Sequence, residues 1–169
     1  PFSIERVEPT GAYISSQFIC FRGNPIVALD EIDFKGEELQ NVLAAVAVCM
    51  LKGVSAFCTA SALTDFKRPA YRRQLVAIAQ GAYVYNDSKS TNVSACLCAC
   101  SSVGECVLML GGQKGEENFD DLFSRLPSSV KAITVQGENA DVILKSARTF
   151  GFENIRKCEN LQSAISTAF

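Results

Sequence analysis

The chain has no histidine and no tryptophan, yet its 169 residues include eight cysteines. Zinc ribbons need paired C-x2-C spacings, and none occurs. Cys96, Cys98 and Cys100 alternate at a spacing of two, and Cys106 follows shortly. In a helix, positions two apart face different ways, so Cys96 and Cys98 do not jointly hold a metal. Cys20, Cys49, Cys58 and Cys158 sit in apolar surroundings. A free cysteine behaves as a small buried apolar residue. Such usage fits a reducing cytosol better than a secreted disulfide scaffold, and a cytoplasmic location is expected.

Other absences narrow the class further. No apolar run approaches the ~20 residues that a membrane-spanning helix takes, so no membrane insertion is expected. Sixteen basic residues face eighteen acidic ones, and no basic stripe is present, which argues against nucleic acid as a partner. The G-x4-G-K-[ST] spacing of a P-loop is missing. The chain begins Pro1-Phe2-Ser3, with neither an initiator methionine nor a signal-peptide pattern, and reads as a piece of a longer protein. What is present is enough apolar material to bury a core: 48% of residues are hydrophobic, in a length that suits one ordinary domain or two small ones.

Along the chain, residues up to Leu29 read as short strands. Tyr13-Ile14 and Phe18 to Phe21 flank a turn at Ser15-Ser16. Gly23-Asn24-Pro25 makes the next turn, before Ile26 to Leu29. Leu39, Val42, Leu43, Val46 and Met50 step by three and four, which predicts a helix over Glu37 to Lys52, stopped by Gly53. A second helix runs from Ala56 to Phe66 and ends at Lys67-Arg68-Pro69. Leu75 to Ile78 and Ala82 to Tyr85 form a hairpin around Gln80-Gly81. Beyond it, strands at 106–110, 130–135 and 154–157 alternate with helices at 119–126, 140–150 and 161–168. That order predicts a parallel sheet covered on both faces. The fold class is α/β: a small mixed α+β piece over 1–79, then a Rossmann-like domain with a mainly parallel sheet over 80–169.

The densest polar stretch is Asn86-Asp87-Ser88-Lys89-Ser90-Thr91-Asn92, between an apolar strand and the helix-compatible run 93–99. A turn from strand to helix is where α/β proteins place ligands. The first amides of the helix and its dipole favour an anion there, and Lys89 adds a full charge. Asp87 can accept from a hydroxyl or sit near a metal. Thr91 or Asn92 caps the helix. Read without the lysine and aspartate, the stretch is a capped surface loop. The turn Leu110-Gly111-Gly112-Gln113-Lys114-Gly115 ends the next strand, at the same sheet edge as Lys89. Its glycines either let a ligand approach or simply make a tight turn.

The 86–92 stretch resembles the N-D-S-K-x-T-N signature of the Mur ligase family, in its D-glutamate-adding branch. Leu110 to Phe119 resembles L-G-G-x-D-K-G-x-D-F of the same branch, with the Asp missing and Lys114 one place early. Pro69-Ala70-Tyr71-Arg72 resembles a P-H-R segment, with Tyr71 in place of histidine. Gly36 to Ala45 resembles G-x-H-N-x-x-N-x-x-A-A, one residue short and without the His-Asn pair.

The resemblance implies an ATP- and Mg²⁺-dependent ligase joining D-glutamate to UDP-N-acetylmuramoyl-L-alanine in cell-wall precursor synthesis. It places Lys89, Thr91 and Lys114 on the amino-acid side of an interdomain cleft. It places Asn41, Arg72 and Asp87 on the ATP side, with Asn41 near adenine. It assigns 1–79 to the end of the central ATPase domain and 80–169 to most of the C-terminal domain. The P-loop, the metal-binding lysine and a serine-containing S-P-A-x-A-S segment would lie outside this chain, so the fragment alone is expected to be inactive. The departures at Glu37 to Asn41, Tyr71 and Lys114 also fit a rival: a non-catalytic relative that binds a nucleotide or another ligand.

Overall fold

In the computed structural model, residues 1–36, 38–113, 115 and 118–169 are described, and the chain forms two compact units, Pro1–Pro69 and Ala70–Phe169.

The first unit is built on a four-stranded sheet in the order β1-β2-β3-β4, from β1 (Phe2–Ser3), β2 (Ala12–Ser15), β3 (Phe18–Phe21) and β4 (Asn24–Ala28). Both hairpin turns have two central residues with positive φ, the geometry whose twist matches the flanking strands. The first falls at Ser16-Gln17 (φ 50° and 68°), one residue later than the expected Ser15-Ser16. The second is Arg22-Gly23 (φ 49° and 85°), so Asn24 and Pro25 already belong to β4. Proline is tolerated there because β4 is an edge strand.

Helix α1 (Glu38–Leu51) lays Val42, Leu43, Val46 and Ala47 against Ile19, Phe21 and Val27 of the sheet, and this closes the core. The expected start at Glu37 lies outside the described residues. Gly53 ends the helix as expected. At φ 85° it lets its own amide reach Met50 O at 3.2 Å and the Val54 amide reach Cys49 O at 3.0 Å. Helix α2 (Ala56–Thr64) is capped by Ser55, which accepts from the Cys58 amide at 3.2 Å. It stops two residues short of the expected Phe66, because Asp65 takes the C-cap position. Arg68 then ties the end of the unit down, donating to Glu38 Oε1 at 2.6 Å and to Asp33 Oδ2 at 3.3 Å. Partial burial disfavours its charge, but the two carboxylates outweigh that and hold the guanidinium more firmly protonated than usual.

The second unit begins with the expected hairpin, β5 (Gln74–Ala79) against β6 (Ala82–Asn86), turning through Gln80-Gly81 (φ 50° and 82°). Among the described residues β5 pairs only with β6, and the compact units divide at Pro69, about ten residues before the expected boundary at 79. After α3 (Val93–Ser102) comes a three-stranded parallel sheet, β7 (Cys106–Gly112), β8 (Val130–Gly137) and β9 (Ile155–Lys157), in that order. Helices α4 (Phe119–Ser124), α5 (Ala140–Thr149) and α6 (Leu161–Ala168) alternate with and follow these strands. Ile133 and Val135 of β8 are fully buried in one cluster with Leu97, Leu122 and Ile143. Helix α6 packs on β8 and β7. The α/β class and the parallel sheet are as expected. The placement of β6 is not. It lies in a separate two-stranded sheet, so the turn after it does not share a sheet edge with the turn after β7. No described helix is long and apolar enough to cross a membrane.

Candidate functional site at the open end of the hairpin

The polar stretch after β6 meets the segment before β5 where the hairpin opens, since Gln74 stands opposite Asn86 in the register. One backbone bond and a carboxylate join the two sides: Lys89 N donates to Tyr71 O at 3.0 Å, and Arg73 N donates to Asp87 Oδ1 at 2.8 Å. Within the turn itself, Ser90 N donates to Asp87 O at 2.8 Å. Tyr71 and Arg73 both adopt positive φ, 63° and 46°. Non-glycine residues rarely take that conformation, and it persists where surrounding bonds over-determine it. Here both strained residues are held by their backbones: Tyr71 also donates its amide to Gln74 Oε1 at 3.1 Å. Tyr71 thus enters the clamp through its backbone carbonyl and amide.

The acid and the base of the motif have different situations. Asp87 is half-buried and both of its carboxylate oxygens are engaged, Oδ1 by the Arg73 amide and Oδ2 by Ser90 Oγ at 2.5 Å. It does accept from a hydroxyl, but that hydroxyl belongs to its own turn. Lys89 and Thr91 are exposed, and among the described residues no hydrogen bond or ion pair engages the Lys89 ammonium or the Thr91 hydroxyl. Arg72 is half-buried and donates Nη1 to Ser90 Oγ at 3.4 Å. Of the two candidate caps, Asn92 caps α3, accepting from the Ala95 amide at 2.9 Å, and Thr91 stays out of the cap. The arrangement offers an uncommitted cation and hydroxyl at a helix N-terminus, beside a carboxylate fixed in one orientation.

The other expected site residues do not join this group within one unit. Asn41 is exposed on α1, in the first unit. Lys114, Glu116 and Glu117 lie outside the described residues. Of the two glycines before them, Gly111 serves the sheet, since a Cβ there would fall 2.5 Å from Gln136 Nε2 and 2.9 Å from Gln136 O. Gly112, at φ 144°, borders open space, and the turn beyond it is held by Asn139 Nδ2 donating to Gln113 O at 2.7 Å.

Two features were not read from the sequence. One is Ser90, which touches both Asp87 and Arg72. The other is a thiol trio: Cys96 and Cys100, one turn apart on α3, with Cys106 at the start of β7. The Cys100 thiol, donating toward Cys96 and partly buried, is pushed well above its usual range. The same bond lowers Cys96, and burial raises Cys106. The signal for the pair was the four-residue spacing of 96 and 100, not the two-residue spacing of 96 and 98. All eight cysteines are free, and no described cluster of acidic or thiol groups could hold a metal.

The chain has relatives among known proteins. The chain is 34% identical over 171 aligned residues to UDP-N-acetylmuramoylalanine–D-glutamate ligase of Bacillus subtilis, an alignment covering 100% of this chain. It is 38% identical to the enzyme of the same name from Geobacillus kaustophilus, over 99% of this chain. Over its whole length the chain is similar to enzymes of the Mur ligase family. It spans 38% of the length of these two curated relatives. No protein-family profile matches it. Among solved structures, a murein peptide ligase from Psychrobacter arcticus aligns with a TM-score of 0.65 at 15% identity, over 92% of this chain and 37% of that one. A folylpolyglutamate synthase from Mycobacterium tuberculosis, complexed with ADP and AMPPCP, aligns at 0.59 and 18% identity, over 81% of this chain and 34% of that one. At these identities the likeness is one of fold, and it matches the α/β architecture described above.

Proposed function

We propose that this chain is part of an ATP-dependent ligase that joins D-glutamate to UDP-N-acetylmuramoyl-L-alanine in peptidoglycan precursor synthesis. The observation that carries the reading is the hairpin mouth. There the N-D-S-K-x-T-N signature presents the Lys89 and Thr91 side chains with no partner among the described residues, on a turn fixed from both sides. Relatives of that name at 34% and 38% identity along the chain support it.

The chemistry requires an activated carboxylate, because oxide is a poor leaving group. ATP would phosphorylate the muramoyl-alanine carboxylate, and the amine of D-glutamate would then displace phosphate. In that scheme the Lys89 ammonium binds a carboxylate of the incoming D-glutamate, and Thr91 donates or accepts beside it. Lys114 belongs to the same side by the resemblance. Arg72 offers guanidinium N–H groups to phosphate oxygens, and Asp87 sets the geometry of that side. Asn41 is assigned to adenine. The described residues contain no donor cluster for Mg²⁺, and the resemblance assigns its ligands to parts of the protein outside this chain. When bound, the metal neutralises charge on the transferring phosphoryl group.

The test is steady-state ligation by the complete protein with D-glutamate varied. Lys89→Ala removes a charge-assisted contact worth about 1.5–3 kcal/mol, so kcat/KM for D-glutamate should fall by roughly tenfold to a hundredfold. Unchanged D-glutamate kinetics in this variant would remove the assignment.

A further inference from the structure

We propose that Ser90 is a positioning residue that keeps Arg72 and Asp87 one hydroxyl apart and so leaves the Arg72 fork open for phosphate. The proposal deepens the reading of that side as the ATP side and rests on it.

A serine hydroxyl has one donor and two acceptor lone pairs, and Ser90 uses both functions. Its Oγ donates to Asp87 Oδ2 at 2.5 Å and accepts from Arg72 Nη1 at 3.4 Å. Its own amide is held by Asp87 O at 2.8 Å, which leaves the hydroxyl little freedom to move away. The opposite carboxylate oxygen is held by the Arg73 amide at 2.8 Å, so Ser90 completes the fixing of Asp87. No ion pair joins Arg72 to Asp87 among the described residues.

That separation matters because a guanidinium beside a carboxylate tends to form a bidentate pair, which takes two parallel N–H groups of the fork. With Ser90 between them, Arg72 commits one N–H, to a hydroxyl rather than to a charge. The remaining donors of its five stay available to an anionic ligand. Position 90 is the open x of the signature, so the hydroxyl is a choice made by this chain. Loss of the hydroxyl frees Oδ2 and lets Arg72 close directly on Asp87, which makes the carboxylate a competitor for phosphate.

The experiment uses the complete protein and compares Ser90→Ala and Ser90→Thr with the parent. ATP and D-glutamate are varied separately, and thermal unfolding confirms that each variant is folded. Ser90→Ala should raise the KM for ATP roughly fivefold, the factor that one hydrogen bond of ordinary strength contributes. The KM for D-glutamate should stay within twofold of the parent, a figure of about the measurement error. Ser90→Thr keeps the hydroxyl and should restore the ATP value. An unchanged KM for ATP in Ser90→Ala, while Arg72→Ala raises it, would overturn the role of Ser90 and leave the ATP side standing. Failure of threonine to restore the ATP value would overturn it as well. If Arg72→Ala and Asp87→Ala both leave the KM for ATP unchanged, the ATP side itself is wrong and the proposal falls with it.

Discussion

The hairpin β5–β6 and the parallel sheet β7–β8–β9 belong to one unit but are held by different forces. In the parallel sheet Ile133 and Val135 are 1% and 0% exposed, packed among side chains of three helices. In the hairpin Val76, Ile78 and Tyr83 are 51%, 64% and 64% exposed. Burial fixes the first. The second is fixed by its ladder, its tight turn and the polar bonds across its open end. Hydrophobic burial is non-directional and tolerates small shifts, whereas a hydrogen bond sets position and angle. The candidate site lies where direction is set.

Three substitutions test that contrast, read by urea unfolding of the 169-residue chain followed by circular dichroism. Ile133→Ala should have the largest effect, about 2–5 kcal/mol of lost stability, because it leaves a cavity in the buried face of β8. A loss below about 1 kcal/mol would mean that the sheet is not held by burial in the way described. Asn92→Ala should cost about 1 kcal/mol through the lost cap on the Ala95 amide. No loss at all would show that Thr91 or water replaces the cap. Ile78→Thr should change stability by less than about 0.5 kcal/mol, as a surface substitution does, and threonine keeps the β-branched shape suited to a strand. A cost matching that of Ile133→Ala would break the comparison, because it would show that the hairpin face is buried in solution.

Local features were legible in the sequence. The Gln80-Gly81 turn, the Gly53 stop, the cap at the head of α3 and the strand–helix alternation after residue 100 each follow from short-range steric or hydrogen-bonding rules. They appear within a residue or two of their expected places. Less legible was anything settled by a distant partner. Nothing in Ala82 to Asn86 reveals that this strand pairs with β5 alone and stays out of the parallel sheet. The family signature pointed to Lys89, Asp87 and Arg72 as site residues. The structure adds that Asp87 has both oxygens engaged and that the Lys89 ammonium has no partner among the described residues. That difference depends on rotamers and on a neighbour across the hairpin mouth, which periodicity does not encode. Ser90 was passed over for the same reason: its role exists only once residues 72 and 90 are brought together.

The left-handed backbones of Tyr71 and Arg73 flank Arg72 on both sides. Each costs of order 1–2 kcal/mol for a residue with a Cβ. That cost is met during folding, by the bonds that close the hairpin mouth. In the proposed role, the backbone that carries Arg72 would therefore meet a phosphate already bent, with little ordering of the loop left to be charged against affinity. A chain with glycines at 71 and 73 would fold with less strain and bind from a looser start. In that proposed role the two strained residues would move an entropic cost from the moment of binding to the moment of folding.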